Sequence, residues 1–163
     1  MLNNGLLMLA MATFATAAQA GQISGDAKAI DSTTIQIGEQ RVMLFGLDSV
    51  MRKQVCVLDG KPWQCWQAAV HELQTLLDEG AVSCEVVGEP DVYGRVLGRC
   101  TANGQSVNEQ LVSRGFALAR PSETTDYVAT EAVAKEKRVG LWQGQFQRPS
   151  DFRKAAGIPV ERP

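Results

Sequence analysis

The apolar patterning of this chain predicts an α+β protein, a five-stranded β-barrel of OB type packed by about three helices. Short alternating segments interrupted by turn residues fill Gln22 to Phe45, as strands do. A single long stretch, Trp63 to Glu79, carries apolar residues at helical spacing instead. Two more strand-like segments and two more helical ones follow it, so the order is strands, helix, strands, helices.

Gln22 to Phe45 reads as three strands. Asp31-Ser32 separates the first from the second, Thr33 to Ile37 alternates, Gly38-Glu39-Gln40 turns, and Arg41 to Phe45 returns. Leu47 to Pro62 reads as a long polar loop. In the helix that follows, Trp66, Ala69, Val70, Leu73, Leu76 and Leu77 share one face and Gly80 stops it, while His71 falls off that face onto the surface. Val82 to Val87 and Val96 to Cys100 form the fourth and fifth strands; antiparallel pairing sets Cys84 against Cys100 and Glu85 against Arg99. Val107 to Arg114 is a short helix ended by Gly115, and Thr125 or Asp126 caps a last helix to about Arg138. The tail, 145–163, has no clear periodicity, which divides the chain into 1–20, a domain over 21–144, and that tail.

The first segment, 1–20, reads as a signal peptide. Leu6 to Ala18 is apolar and small-residue-rich, and Ala18-Gln19-Ala20 is a cleavage pattern before Gly21, although Met1 to Gly5 lacks Lys and Arg. The run is too short for a comfortable membrane span, so the expectation is a periplasmic or secreted protein. An exported chain with four cysteines is expected to pair them. The loop position of Cys56 and Cys65 and the facing strand positions of Cys84 and Cys100 give Cys56–Cys65 and Cys84–Cys100. Neither interval has zinc-ligand spacing, so no metal is expected from them. With 16 Lys and Arg against 18 Asp and Glu, the net charge is -2, and the basic excess that phosphate-gripping proteins normally carry is absent.

Three stretches in order then carry a family signature: Val42 to Ser49, Asp91-Val92-Tyr93-Gly94-Arg95, and Asn108 to Gly115 followed by Glu131 to Lys135 and Gly140-Leu141-Trp142. Together they resemble the staphylococcal nuclease (thermonuclease) family over roughly Gly25 to Trp142. The Cys56–Cys65 segment is similar to a disulfide-bearing branch of that family in exported bacterial proteins. The resemblance implies calcium-dependent hydrolysis of phosphodiester bonds in DNA and RNA. It also implies carboxylates for the cation, a carboxylate base and two guanidiniums on the phosphate. Only Asp48 and Arg95 match those roles. Thr33 stands where a calcium carboxylate is implied, Met43 where the second guanidinium is, and Met51 where the base is, with Val50 in place of a proline. The implied base-stacking tyrosines are missing too, with Arg120, Pro121 and Glu123 in their span. Asp31 is the one nearby carboxylate that could replace the ligand lost at Thr33, and its turn position equally suits an Asx role. Asp48 and Arg95 are expected to pair with each other.

These readings lead to an exported nuclease-like domain without cofactor that has lost its hydrolytic activity and binds an unknown protein, polymer or small anion, or stabilises an assembly. The alternatives are a weak calcium-dependent nuclease built on Asp31, Asp48 and Arg95, and an OB-type module for carbohydrate or peptide. Intact-mass measurement of exported material should find a chain starting at Gly21 and lighter by four hydrogens than its reduced form. Labelling by a thiol reagent without prior reduction would contradict both export and pairing.

Overall fold

The computed structural model describes residues 21–159, so the signal-peptide expectation for 1–20 lies outside the described residues. The first strands are β1 (Gln22–Gly25), β2 (Ala27–Asp31), β3 (Thr34–Ile37) and β4 (Gln40–Leu44); β3 alternates, β4 ends in a buried run, and Ala29, Ile35, Ile37, Val42 and Leu44 are buried. The chain continues through β5 (Leu47–Asp48), β6 (Cys56–Leu58), β7 (Lys61–Trp63) and α1 (Cys65–Leu77) to β8 (Val82–Val87) and β9 (Val96–Ala102). It ends with β10 (Gln105–Ser106), α2 (Val107–Ser113), β11 (Leu118–Ala119), α3 (Val128–Glu136), a 3₁₀ turn (Gly140–Gln143) and α4 (Pro149–Ala155).

The main sheet runs β1-β8-β9-β4-β3-β2, with β10 added on β9. Its ladder is not closed. Its two ends are nevertheless halves of one bent strand, since β1 and β2 are separated by Asp26 alone. The chain itself thus joins the edges, and counting β1 and β2 as one strand leaves the five strands of the OB plan. All pairings in this sheet are antiparallel except β4 with β9, where Val42, Met43 and Leu44 lie beside Val96, Leu97 and Gly98. A parallel pair needs a long crossover, and the segment containing α1 and β8 supplies it.

Asn108 locks this parallel pair. Its fully buried amide accepts the Cys100 N–H at 2.9 Å and donates to the carbonyls of Phe45 at 2.9 Å and Gly98 at 3.2 Å. One side chain therefore satisfies three backbone groups at the point where β4 ends beside β9, which buried polar groups require. On the other side of α2, Gly115 and Gly140 have φ of 78° and 56° and pack backbone to backbone, and the Leu141 N–H donates to the Gly115 carbonyl at 2.8 Å. A Cβ at either glycine would collide with main-chain carbonyls of the other segment.

Both expected disulfides are present, and Cys84 lies directly across from Cys100 as Glu85 does from Arg99. Cys56–Cys65 sits in a second, smaller core with Val50, Ala69, Leu118 and Leu141, under Trp63, Trp66 and Phe146.

Three expectations change. The segment read as a polar loop contains β5 and a β6–β7 hairpin, where Pro62 is tolerated because the hairpin has only two strands. The helix expected to be capped by Thr125 or Asp126 is α3, which has Tyr127 at its cap position and begins at Val128, because Asp126 is drawn to Arg99 at 2.9 Å and its N–H to the Thr124 hydroxyl. The tail is not shapeless either, since it holds α4 and packs back on the domain. Val57 and Gln145 exchange backbone hydrogen bonds, Pro149 is buried, and Gln54 donates to the Gln147 carbonyl.

Asn108→Ala should lower the unfolding free energy by about 2–3 kcal/mol, because it removes the amide from the Cys100 N–H and the Phe45 carbonyl, while the Gly98 carbonyl keeps the Phe45 N–H. A urea midpoint unchanged from the parent protein would remove Asn108 from this role.

Candidate functional site

A cleft of about 350 Å³ opens where β4 runs into β5 and where the Asp91–Arg95 turn enters β9. The parallel β4–β9 register brings Met43 and Arg95 to one end of the barrel, and the Gly46 turn then swings Asp48 over the same opening. Asp31, Thr33, Met43, Asp48, Met51 and Arg95 all line this one cleft, whereas Val50, Pro121 and Glu123 are not among its lining residues. Tyr93, Arg120 and Arg153 complete its charged and aromatic wall.

The pairing inside the cleft differs from the expected Asp48–Arg95 contact. Asp48 is taken by Arg153 of α4, with Nη1 donating to Oδ1 at 2.7 Å and Nη2 to Oδ2 at 2.5 Å. Asp48 Oδ1 also accepts the Ser49 N–H at 3.0 Å. The two side chains are 15% and 11% exposed, so the pair is largely withdrawn from water. The fork of donors matches the carboxylate at both oxygens, which is the strongest geometry such a pair adopts. That bond raises the Arg153 pKa above its ordinary value, with desolvation working in the opposite direction. The third nitrogen of the Arg153 guanidinium, Nε, is buried and finds no hydrogen-bond partner.

Arg95 turns to its own loop instead. Its Nε donates to Asp91 Oδ2 at 2.6 Å, and its guanidinium lies 5.2 Å from the ring centre of Tyr93. Asp91 Oδ1 accepts the N–H groups of Tyr93 and Arg95 at 2.9 and 2.8 Å, closing the turn. Desolvation pushes the Asp91 carboxyl upward, but the hydrogen bonds from Arg95 and Tyr93 outweigh it and hold the group below its usual range.

Asp31 is likewise engaged. Its Oδ1 accepts the Ser32 N–H and the Trp66 indole N–H, each at 2.7 Å, which combines the turn role with an anchor to α1. Ser32 and Ser49 give their hydroxyl protons to the carbonyls of Val50 and Phe116. Arg120 follows β11, which pairs with β5 alongside Asp48, and its Nε lies 2.9 Å from Glu123. Glu123 in turn accepts the Gly46 N–H at 2.8 Å. Among the described residues no group of three or more His, Cys, Asp and Glu could hold a metal ion.

Two cleft arginines escaped the reading of the sequence. Arg120 stands where an aromatic residue is implied, so its charge passed as a loss and not a replacement. Arg153 lay in a tail judged aperiodic. The signal was there: Pro149 at the start, Asp151 in the first turn, and Arg153 and Lys154 in the last are the asymmetries of a short helix.

An OB-type barrel with helices on one side and a cleft at the mouth of its β4–β5 turn defines a nuclease-fold protein. The chain belongs to the staphylococcal nuclease family: the family model described as Staphylococcal nuclease homologue matches residues 41–144. It is also 32% identical over 145 residues to the succinoglycan biosynthesis protein ExoI of Rhizobium meliloti (strain 1021), covering 86% of this chain and 75% of that one.

Arg153→Ala should lower stability by about 2–3 kcal/mol, because it leaves the Asp48 carboxylate without its partner in a partly dry site. Arg153→Lys should recover only part of that loss, since an ammonium has no fork. Equal denaturation midpoints for all three proteins would show that the pair contributes nothing.

Proposed function

We propose that this protein is an exported member of the nuclease family that no longer performs calcium-dependent phosphodiester hydrolysis and uses its cleft for binding. The observation that carries this reading is the Asp48–Arg153 pair. A calcium ion needs six to eight oxygen ligands, with carboxylates prominent among them. Asp48 has both oxygens on a guanidinium, Asp31 holds Trp66, and Thr33 and Met51 bring no carboxylate. These residues do not fit calcium. Met43 also leaves Arg95 without a second guanidinium at the position the family resemblance implies, although Arg120 and Arg153 supply positive charge from other directions.

The chemistry left in the cleft is that of recognition. Guanidiniums fork onto anionic groups, and Tyr93, 67% exposed at the rim, offers a flat apolar face. An anion-bearing polymer or small molecule suits this wall better than an uncharged one. The name of the similar protein from Rhizobium meliloti places that protein in succinoglycan biosynthesis, and a glycan is accordingly the polymer we favour. Export, to the periplasm or beyond, is supported by the two disulfides and by the signal-like pattern of residues 1–20. Among the described residues, no helix is long and apolar enough to cross a membrane.

Purified protein should not cleave single-stranded DNA or RNA faster in calcium than in chelator, and calcium binding should be undetectable below about 1 mM. Calcium-dependent turnover that disappears in Asp48→Ala or Arg95→Ala would establish the weak-nuclease alternative instead. Thr33→Asp, Met43→Arg and Met51→Glu together should restore calcium binding only when Arg153→Ala frees Asp48, because these groups act as a unit.

A further inference from the structure

A second pocket, about 230 Å³, lies on the far side of Asp48 in the seam between the turn after β11 and the first turn of α4. We infer that this seam is a binding site for a single oxyanion, the carboxylate or phosphate group of a ligand, held by Arg120, Arg148 and Arg153 with the hydroxyls of Ser122 and Ser150.

The arginines are the first argument. Three guanidiniums and one carboxylate line the seam, with Glu123 and Glu131 standing behind Arg120 and Arg148, so the arginines are balanced in charge and what the wall offers is their N–H groups left over from those pairs. The acidic side chains around it are already committed. Asp48 is held by Arg153, Glu123 accepts the Gly46 N–H and sits on Arg120 Nε, and Glu131 accepts the Ala119 N–H at 2.6 Å. The nearest approach of Arg148 to Glu131 is 3.8 Å, beyond hydrogen-bond range.

Donor geometry is the second. Ser122 and Ser150 stand exposed on opposite lips of the seam, where a hydroxyl on either side complements the oxygens that guanidiniums leave over. Arg153 adds the Nη N–H groups that its bonds to Asp48 leave over, and its buried Nε–H is without a partner. The pocket admits one anionic group with a few attached atoms and not a stacked polymer. Arg148, Ser150 and Arg153 also lie beyond residue 144, so three of the five side chains of the site come from the segment outside the family match.

Titration of the oxidised full chain with sodium phosphate, followed through the amide resonances of Ser122 and Ser150, tests this. Phosphate should give saturable shifts; acetate should compete, and chloride at matched ionic strength should not. Whichever of phosphate and acetate binds tighter identifies the preferred oxyanion. Arg148→Ala, at a side chain 52% exposed and therefore safe for folding, and Arg120→Lys should each weaken phosphate binding about tenfold. The absence of saturable shifts, equal competition by chloride, or unchanged affinity in both variants would overturn the site. Arg120 and Arg153 line both the seam and the cleft, whereas Arg148 and Ser150 line the seam alone, so phosphate affinity unchanged in Arg148→Ala would place the anion in the cleft and overturn this site. Calcium-dependent cleavage would refute the binding-only reading without moving the Arg148 and Ser150 readouts.

Discussion

The parallel pairing of β4 with β9 is the constraint on which the rest of this molecule depends. A sheet that is otherwise antiparallel accepts one parallel neighbour only if the chain makes a long detour, and α1 with β8 is that detour. The detour determines where the helical layer lies. The pairing also leaves backbone groups of Phe45, Gly98 and Cys100 directed at one buried point, and the Asn108 amide meets all three. Asn108 belongs to α2, so the same contact sets the position of that helix and, through Gly115 and Gly140, of the closing 3₁₀ turn. Displacing this single pair would disconnect three layers at once.

The register also decides what meets in the cleft. Residues far apart in sequence reach one barrel mouth because β4 and β9 point the same way. Within that mouth each arginine has a carboxylate of its own: Asp91 for Arg95, Glu123 for Arg120 and Asp48 for Arg153. Such mutual neutralisation explains how a chain with a small acidic excess keeps three guanidiniums close together without strong repulsion. It also separates scaffold from chemistry. The family barrel is present while the arginines around its opening are held in internal ion pairs, and fold alone is a poor guide to what the opening does.

Much of this was legible in the residues. Period-2 alternation in β3, the short apolar run that ends β4, and the 3.6-residue spacing of Leu73, Leu76 and Leu77 announce the barrel and α1, because burial leaves those signatures. The facing of Cys84 and Cys100 follows from strand register. Asp48 and Arg95 were found because short motifs surround them. What escaped detection depended on tertiary partners. Asp126 has the chemistry of a helix cap but is held by Arg99, a residue of β9 that no local pattern connects to it. The β6–β7 hairpin is too short to show a period, and its disulfide does part of what a longer ladder would do. The Asp48–Arg153 pair has no local trace, since nothing near Asp48 in sequence indicates which arginine will reach it.

That pair joins positions 105 residues apart. It fastens a helix outside the family match to the barrel mouth. Without that helix Asp48 would face the mouth with an uncompensated charge beside Met43 and Met51. A chain shortened before α4 keeps the barrel sequence while presenting a different electrical face. The counter-charge on Asp48 thus reports whether α4 is in place.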